Sequence, residues 1–132
     1  MATTTTTTTI EYPVPPDVST TQLPFSPATK VGNLIFVSGQ VSSDPRTGEI
    51  IHDSFENQFR RTVENVRSIL HACGSDLDKI AQVKSYVKNP EHWEEYNKLY
   101  REYFSAPYPA RTTLVSCLPK VLIEMDVIAV AS

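Results

Sequence analysis

The chain has 132 residues, and 12 Lys and Arg against 15 Asp and Glu give it a formal net charge of -3. This length predicts one domain with a hydrophobic core of its own. The sequence contains neither a long basic run nor an apolar run of membrane-spanning length, so we expect no nucleic-acid partner and no membrane insertion. Two cysteines and three histidines form no metal or disulfide pattern, which favours a reduced, cytoplasmic protein without a metal site.

Residues 1–22 predict a disordered or extended N-terminal arm, and residues 23–132 predict the single domain. The threonines at 3–9 have no alternation that could bury one face, so we expect disorder there. Five prolines between residues 12 and 27 disfavour a central strand and favour an extended segment that packs on the domain. Residues 1–29 contain no Lys or Arg, which fits neither a secretory signal nor an Arg-rich transit peptide.

The first half of the domain predicts a short strand at 28–31 and a longer strand at 34–42. Alternating apolar residues give the longer strand one apolar face and one mixed face, the latter with Ser38 and Gln40. Gly39 interrupts this strand and predicts a close approach to its backbone, for which a ligand is the candidate. A brief strand is expected at 50–51.

Two helices are predicted, separated by a helical turn at 76–79 and a strand at 80–87. Apolar residues at helical spacing indicate the first helix, with Asp53 and Glu56 as a capping box and Gly74 as its end. Asn89, followed by a proline, predicts the start of the second helix. Asn97 lies near its buried side, where a loop carbonyl and a functional site are both possible partners. The expected buried residues of that helix are Trp93, Tyr96, Leu99, Tyr100, Tyr103 and Phe104.

Arg111 follows two prolines and enters an apolar run, 112–118, that predicts a strand. Its guanidinium is always charged, and its planar fork matches a carboxylate. A structural salt bridge at the end of the strand is the alternative interpretation.

A last strand is predicted at 122–130, with Glu124 and Asp126 on one otherwise apolar face. A two-residue turn at 119–120 would pair it with the strand at 112–118 as a hairpin. In that register Arg111, Thr113, Glu124 and Asp126 share one face of the sheet.

The predicted order β-β-(β)-α-β-α-β-β indicates an α+β sandwich, with one sheet and both helices on one face. The opposite face combines apolar residues with several polar and charged ones. Such a face is too apolar for water and too polar for a dry core. The pattern therefore predicts burial against other subunits, with the polar groups collected in clefts between them.

Four segments together resemble the YjgF/RidA family of 2-iminobutanoate/2-iminopropanoate deaminases over residues 23–131. They are VGNLIFVSGQ at 31–40, PRTGE at 45–49, YPART at 108–112 and IEMDVIAV at 123–130. The resemblance implies a chorismate-mutase-like fold with one mixed β-sheet and a barrel-like homotrimer with sites between subunits. It also implies hydrolysis of small imino or enamino acids to 2-oxo acids and ammonia, without a cofactor.

Specific residues follow from the same resemblance. The carboxylate-binding arginine of the family falls on Arg111 and the site glutamate on Glu124, while the site serine and asparagine fall on Ser38 and Asn97. This chain departs from the family at two positions. Phe25 stands where the family often has a tyrosine, and Thr113 stands where it often has a cysteine. The expected catalytic residues are Arg111 and Glu124, and the expected substrate-binding residues are Arg111, Ser38, Gly39, Asn97, Thr113 and Phe25.

The implied chemistry has Arg111 holding the substrate carboxylate, while Glu124 accepts a proton from water or orients that water for attack on the C=N carbon. In the predicted hairpin the two residues are ~14 Å apart along the strands, so they can belong to different chains at one site. Three alternatives stay open: a pathway-specific relative acting on another imine or enamine, a ribonuclease or translation inhibitor, and a ligand-binding trimer without turnover.

Overall fold

The structure is a computed structural model that describes residues 9–16, 18 and 23–132. Most of the predicted threonine tract and part of the predicted arm lie outside the described residues. The described residues form one six-stranded mixed sheet and two long helices, which confirms the α+β prediction. The elements are β1 (Ile10–Glu11), β2 (Ala28–Val31), β3 (Leu34–Gln40), α1 (Phe55–Ala72), β4 (Ile80–Val87), α2 (Trp93–Tyr103), β5 (Ala110–Val115) and β6 (Ile123–Val130).

The strand order in the sheet is β1-β2-β3-β6-β4-β5, and only the β4–β5 pair is parallel. The two residues of β1 come from the predicted arm and pair with β2, where Ile10 lies opposite Val31. Part of the arm therefore extends the sheet at its edge, as the prolines around it allow. The brief strand predicted at 50–51 is only an isolated bridge between Ser43 and Ile50.

The predicted hairpin between the last two strands is wrong, because β4 lies between β5 and β6. Helix α2 carries the chain back along the sheet, so β5 starts at the same end as β4 and runs parallel to it. The central position beside β6 is then occupied by β4, which pairs antiparallel with β6. The residues at 119–120 belong to a longer connection that crosses from the edge of the sheet to its centre, rather than to a two-residue turn.

Both helices cover one face of the sheet. On β6 the side chains facing the helices are 0–2% exposed, and the intervening residues are only partly buried. This alternation is the strict period of two that the sequence of β6 predicts. The residues of β6 in the core are Ile123, Met125, Val127 and Ala129.

Helix α1 begins one residue later than predicted. Ser54 is its N-cap, and its hydroxyl accepts a hydrogen bond of 3.1 Å from the Asn57 backbone N–H. The predicted capping box at Asp53 is therefore wrong, since Asp53 forms a salt bridge of 3.1 Å with Arg61 instead. The helix ends before Gly74, which has a φ of +78° and confirms the predicted stop.

Helix α2 follows a 3₁₀ turn over Pro90–His92, and Asn89 precedes that turn without a side-chain capping bond. The prediction that Trp93 is buried is wrong, because this residue is 42% exposed. Three further aromatic residues of the predicted stripe lie in the core, namely Tyr96, Tyr100 and Phe104.

Strand β3 contains a bulge that decides the geometry near its end. Val37 pairs with Val127, but the next residue aligned on β6, Met125, pairs with Gln40 rather than with Gly39. One extra residue therefore fits between the two pairs, and the strand ends at Gln40 instead of residue 42. The bulge places Gly39 beside the next partly buried side chain of β6, Glu124.

Candidate functional site

Arg111 lies near the start of edge strand β5, opposite Val83 of β4. Its Nη1 donates a hydrogen bond of 2.9 Å to Oδ1 of Asn97, and Nδ2 of Asn97 donates to the Trp93 carbonyl oxygen at 3.1 Å. The amide of Asn97 is thus fixed by its own helix and in turn orients the guanidinium. Among the described residues, no carboxylate forms a salt bridge with Arg111.

Three aromatic rings lie close to the guanidinium of Arg111. Its central carbon lies 4.8 Å from the ring centroid of Tyr100, 5.0 Å from that of Tyr96 and 5.8 Å from that of Trp93. A guanidinium over ring faces is stabilised electrostatically and loses mobility without losing its charge. Arg111 nevertheless stays exposed and lines a cavity of about 190 Å³, so its remaining N–H donors are available to an anion.

Asn97, Tyr100 and Arg111 together are called the arginine cluster below. The Tyr100 hydroxyl is buried and has no hydrogen-bond partner within the described part of the chain. Burial is the main reason that the pKa of Tyr100 is raised to about 12. The phenol is therefore neutral at physiological pH, and Arg111 is the charged group of the cluster.

Glu124 lies on the face of β6 that the helices do not cover. A Cβ atom placed on Gly39 would be 2.8 Å from Oε2 of Glu124, closer than side chains approach in proteins. The close approach predicted at Gly39 is thus made by the glutamate. Burial, and then the charge of Asp126, raise the pKa of Glu124 above its usual range.

Asp126 follows two residues later on the same face of β6. The Tyr86 hydroxyl donates a hydrogen bond of 2.9 Å to Oδ2 of Asp126. This bond is the main reason that the pKa of Tyr86 is raised to about 12. Sequence reasoning missed Tyr86, since only the β4–β6 register reveals that it lies directly opposite Glu124.

Ser38 and Phe25 lie where the segment before β2 meets β3. The Ser38 hydroxyl donates to the Ser26 carbonyl oxygen at 2.6 Å, and its backbone N–H donates to that of Pro27 at 2.9 Å. Phe25 is 55% exposed and lines, with Gly39, a mainly apolar cavity of about 350 Å³. Gly39, Tyr86, Glu124 and Asp126 are called the glutamate cluster below.

The prediction that Arg111, Thr113, Glu124 and Asp126 share one face is wrong. Arg111 aligns with Val83 and Val127, which point to the helices. Thr113 lies on the same side, where its hydroxyl is 3.2 Å from that of Tyr96. Inserting β4 between the two strands changes the register by an odd number of residues, which reverses the face.

The arginine and glutamate clusters of one chain therefore lie on opposite faces of the sheet. Leu114, rather than Arg111, is aligned through β4 with Glu124. The two residues are separated by about 10 Å along the strands and by about 10 Å across two strand spacings. One small substrate cannot contact both groups of a single chain.

Residues 18–131 match the protein family described as Endoribonuclease L-PSP, which is the YjgF/RidA family. The chain belongs to this family. Its sequence is 45% identical over 108 residues to a RutC family protein of Pyrococcus abyssi, a match that covers 80% of this chain and 85% of the relative. The chain is also 35% identical to Reactive Intermediate Deaminase A, chloroplastic, of Arabidopsis thaliana, over 80% of this chain and 58% of that protein.

Solved structures of family members have the same fold. The structure of E. coli TdcF with bound serine superposes with a TM-score of 0.81 at 29% identity, over 92% of this chain and 99% of that chain. The family assignment and this likeness confirm the fold that the resemblance implies.

Within the described residues, no helix is long and apolar enough to cross a membrane, and no three His, Cys, Asp or Glu side chains are grouped as a metal site.

Proposed function

We propose that this protein hydrolyses reactive 2-imino or enamino acids to 2-oxo acids and ammonia. The observation that carries the proposal is Arg111, an exposed guanidinium held by Asn97 that has no salt-bridge partner among the described residues. A guanidinium fixed in this way fits the carboxylate that every 2-imino acid carries. The ligand in the TdcF structure is serine, a small amino acid, which supports a ligand of this class.

The complete site needs more than one chain, because the two clusters lie on opposite faces of the sheet. We propose a homotrimer in which the arginine cluster of one subunit meets the glutamate cluster of the next. The uncovered face supports this assembly, since Leu34, Phe36 and Leu114 are 44%, 41% and 50% exposed there. Apolar residues of this size on one sheet face favour burial against another subunit.

The reaction then follows from the charges. Arg111 binds the carboxylate and fixes the neighbouring C=N carbon, while Glu124 removes a proton from a water molecule that attacks this carbon. That proton passes to the nitrogen and gives a carbinolamine. Glu124 then moves the proton of the new hydroxyl to the nitrogen, the C=O bond forms as the C–N bond breaks, and ammonia and a 2-oxo acid are released. Positioned proton transfer contributes ~10²–10⁴-fold, which suits a substrate that also hydrolyses without an enzyme.

The remaining residues would contact the substrate around this centre. Ser38 and Gly39 line the glutamate side and Thr113 the arginine side, while Phe25 offers an apolar surface without the hydroxyl of a tyrosine. The cavity beside Phe25 favours substrates with an apolar side chain.

No residue of the proposed reaction depends on a cofactor, and the free cysteines Cys73 and Cys117 agree with a cytoplasmic location.

The test measures ammonia and 2-oxo acid while an amino-acid oxidase generates the imine in the reaction mixture. Because the family is described as Endoribonuclease L-PSP, RNA cleavage is measured with the same preparation. We expect faster imine decay with the parent protein and not with Arg111→Ala. RNA cleavage without imine turnover would favour the ribonuclease alternative. Binding of 2-oxo acids without either activity would favour a non-catalytic trimer.

A further inference from the structure

Tyr86 and Asp126 lie next to Glu124, but the proposed reaction gives neither of them a role. Tyr86 lies directly opposite Glu124 across the β4–β6 pair, but its hydroxyl reaches Asp126 on the diagonal. The tyrosine ring therefore passes beside Glu124, because diagonal neighbours of a strand pair are within reach of an aromatic side chain.

We propose that Asp126, held in place by the Tyr86 hydroxyl, is a positioning residue that makes Glu124 the member of a carboxyl pair that takes up and releases a proton. This inference rests on the proposed function for its catalytic meaning. The effect of Asp126 on the Glu124 carboxyl group is a property of the folded chain, so it can be measured without any substrate.

The two carboxyl groups differ in their surroundings. Asp126 accepts the Tyr86 hydrogen bond of 2.9 Å, which fixes its carboxyl group. Glu124 accepts no hydrogen bond from the described residues, and it lies against the bulge at Gly39. Burial, and then the charge of Asp126, disfavour the ionised form of Glu124 and raise its pKa.

The other groups around Glu124 leave this assignment unchanged. Strand β3 presents Ser38 and Gly39, neither of which is charged, and β4 presents Tyr86 and, on the diagonal, Lys84. Lys84 lies opposite Asp126 rather than opposite Glu124. Cys117, after β5, has a smaller effect on the pKa of Tyr86 than Asp126 has.

A pair of this kind matches the proposed reaction, which needs one group to take a proton from water and return it to nitrogen. A carboxyl group that titrates closer to neutral pH than an ordinary glutamate does both steps more readily. The fixed charge of Asp126 would supply this property without touching the substrate.

The experiment titrates the Glu124 carboxyl carbon by NMR in the full-length protein with ¹³C-labelled glutamate. Its signal is assigned by its loss in Glu124→Gln. We expect Asp126→Asn to lower the midpoint by about one pH unit, because a negative charge beside the carboxyl group disappears. Tyr86→Phe should give a smaller shift in the same direction, since Asp126 is then free to turn toward water.

The matched control is Asp78→Asn, which removes the same charge at an exposed position in the helical turn before β4. An unchanged midpoint in both Asp126→Asn and Tyr86→Phe, or an equal shift in the control, would overturn the proposal. If Asp126→Asn does not fold, Tyr86→Phe alone decides it.

The pH profile of kcat/KM is the second measurement. The part of this profile that reports the titration of Glu124 should shift by the same number of pH units as the NMR midpoint in each variant. An inactive protein with shifted NMR midpoints would refute the proposed reaction and leave the carboxyl pair standing. Active variants with unshifted midpoints would refute the pair alone.

Discussion

Gly39 and Glu124 are complementary across the β3–β6 pair: the space that a Cβ on Gly39 would fill is occupied by the glutamate carboxylate, 2.8 Å from that position. The contact involves the mobile end of a side chain rather than backbone. A methyl group at position 39 would therefore displace the carboxylate without preventing folding.

Gly39→Ala should consequently lower kcat/KM by about tenfold or more, with a melting temperature within a few degrees of the parent. Imine turnover and thermal unfolding check the two parts. The matched variant combines Gly39→Ala with Glu124→Asp, whose shorter side chain relieves the contact. A large loss of stability in the single variant, not recovered in the double variant, would show that Gly39 is needed by the backbone instead.

Arg111→Ala should abolish binding of 2-oxo acids, the products of the proposed reaction, because the charged fork is removed. Arg111→Lys should not restore binding, since an ammonium group does not reproduce two parallel hydrogen bonds. Calorimetric titration with a 2-oxo acid provides the measurement. Arg101→Ala is the control, because it removes an equal charge from the same cavity. Equal losses in Arg101→Ala and Arg111→Ala would mean that only the overall positive potential matters.

Arg111→Ala and Glu124→Gln subunits should complement each other when they are mixed after reversible dissociation. If one substrate contacts the arginine cluster of one subunit and the glutamate cluster of the next, some mixed trimers contain an intact pair. Activity should then return, while each variant alone stays inactive. Light scattering provides the accompanying check on assembly. A stable monomer, or mixed trimers without activity, would contradict a site shared between subunits.

The pH dependence of stability should reveal the environment of Glu124. Its pKa is raised in the folded protein, so the folded state binds the proton more tightly than the unfolded state. The stability that this proton contributes is present below the unfolded pKa and is lost as pH rises through the folded pKa. Glu124→Gln should therefore gain stability relative to the parent as pH rises from about 4 to 7. Thermal unfolding across this range tests the sign, and a constant difference would contradict it.

Much of the fold was open to prediction because it depends on local patterns. The alternation in residues 122–130 predicts a half-buried strand, which the structure has at Ile123–Val130. The helical spacing before Gly74 predicts α1 and its end, which are also confirmed. The helix start was missed by one residue because Asp53 and Ser54 are both good N-caps. Only the tertiary contact of Asp53 with Arg61 distinguishes between them.

The sequence by itself determined which residue types carry the chemistry: a guanidinium after two prolines, a glutamate in an apolar strand and a glycine within β3. Only the tertiary structure decided which of them meet. The face on which a strand residue points depends on its register, and the register depends on the strand beside it. Because β4, and not β5, pairs with β6, Arg111 joins Asn97 under the helices, while Glu124 joins Gly39 and Tyr86 on the open face.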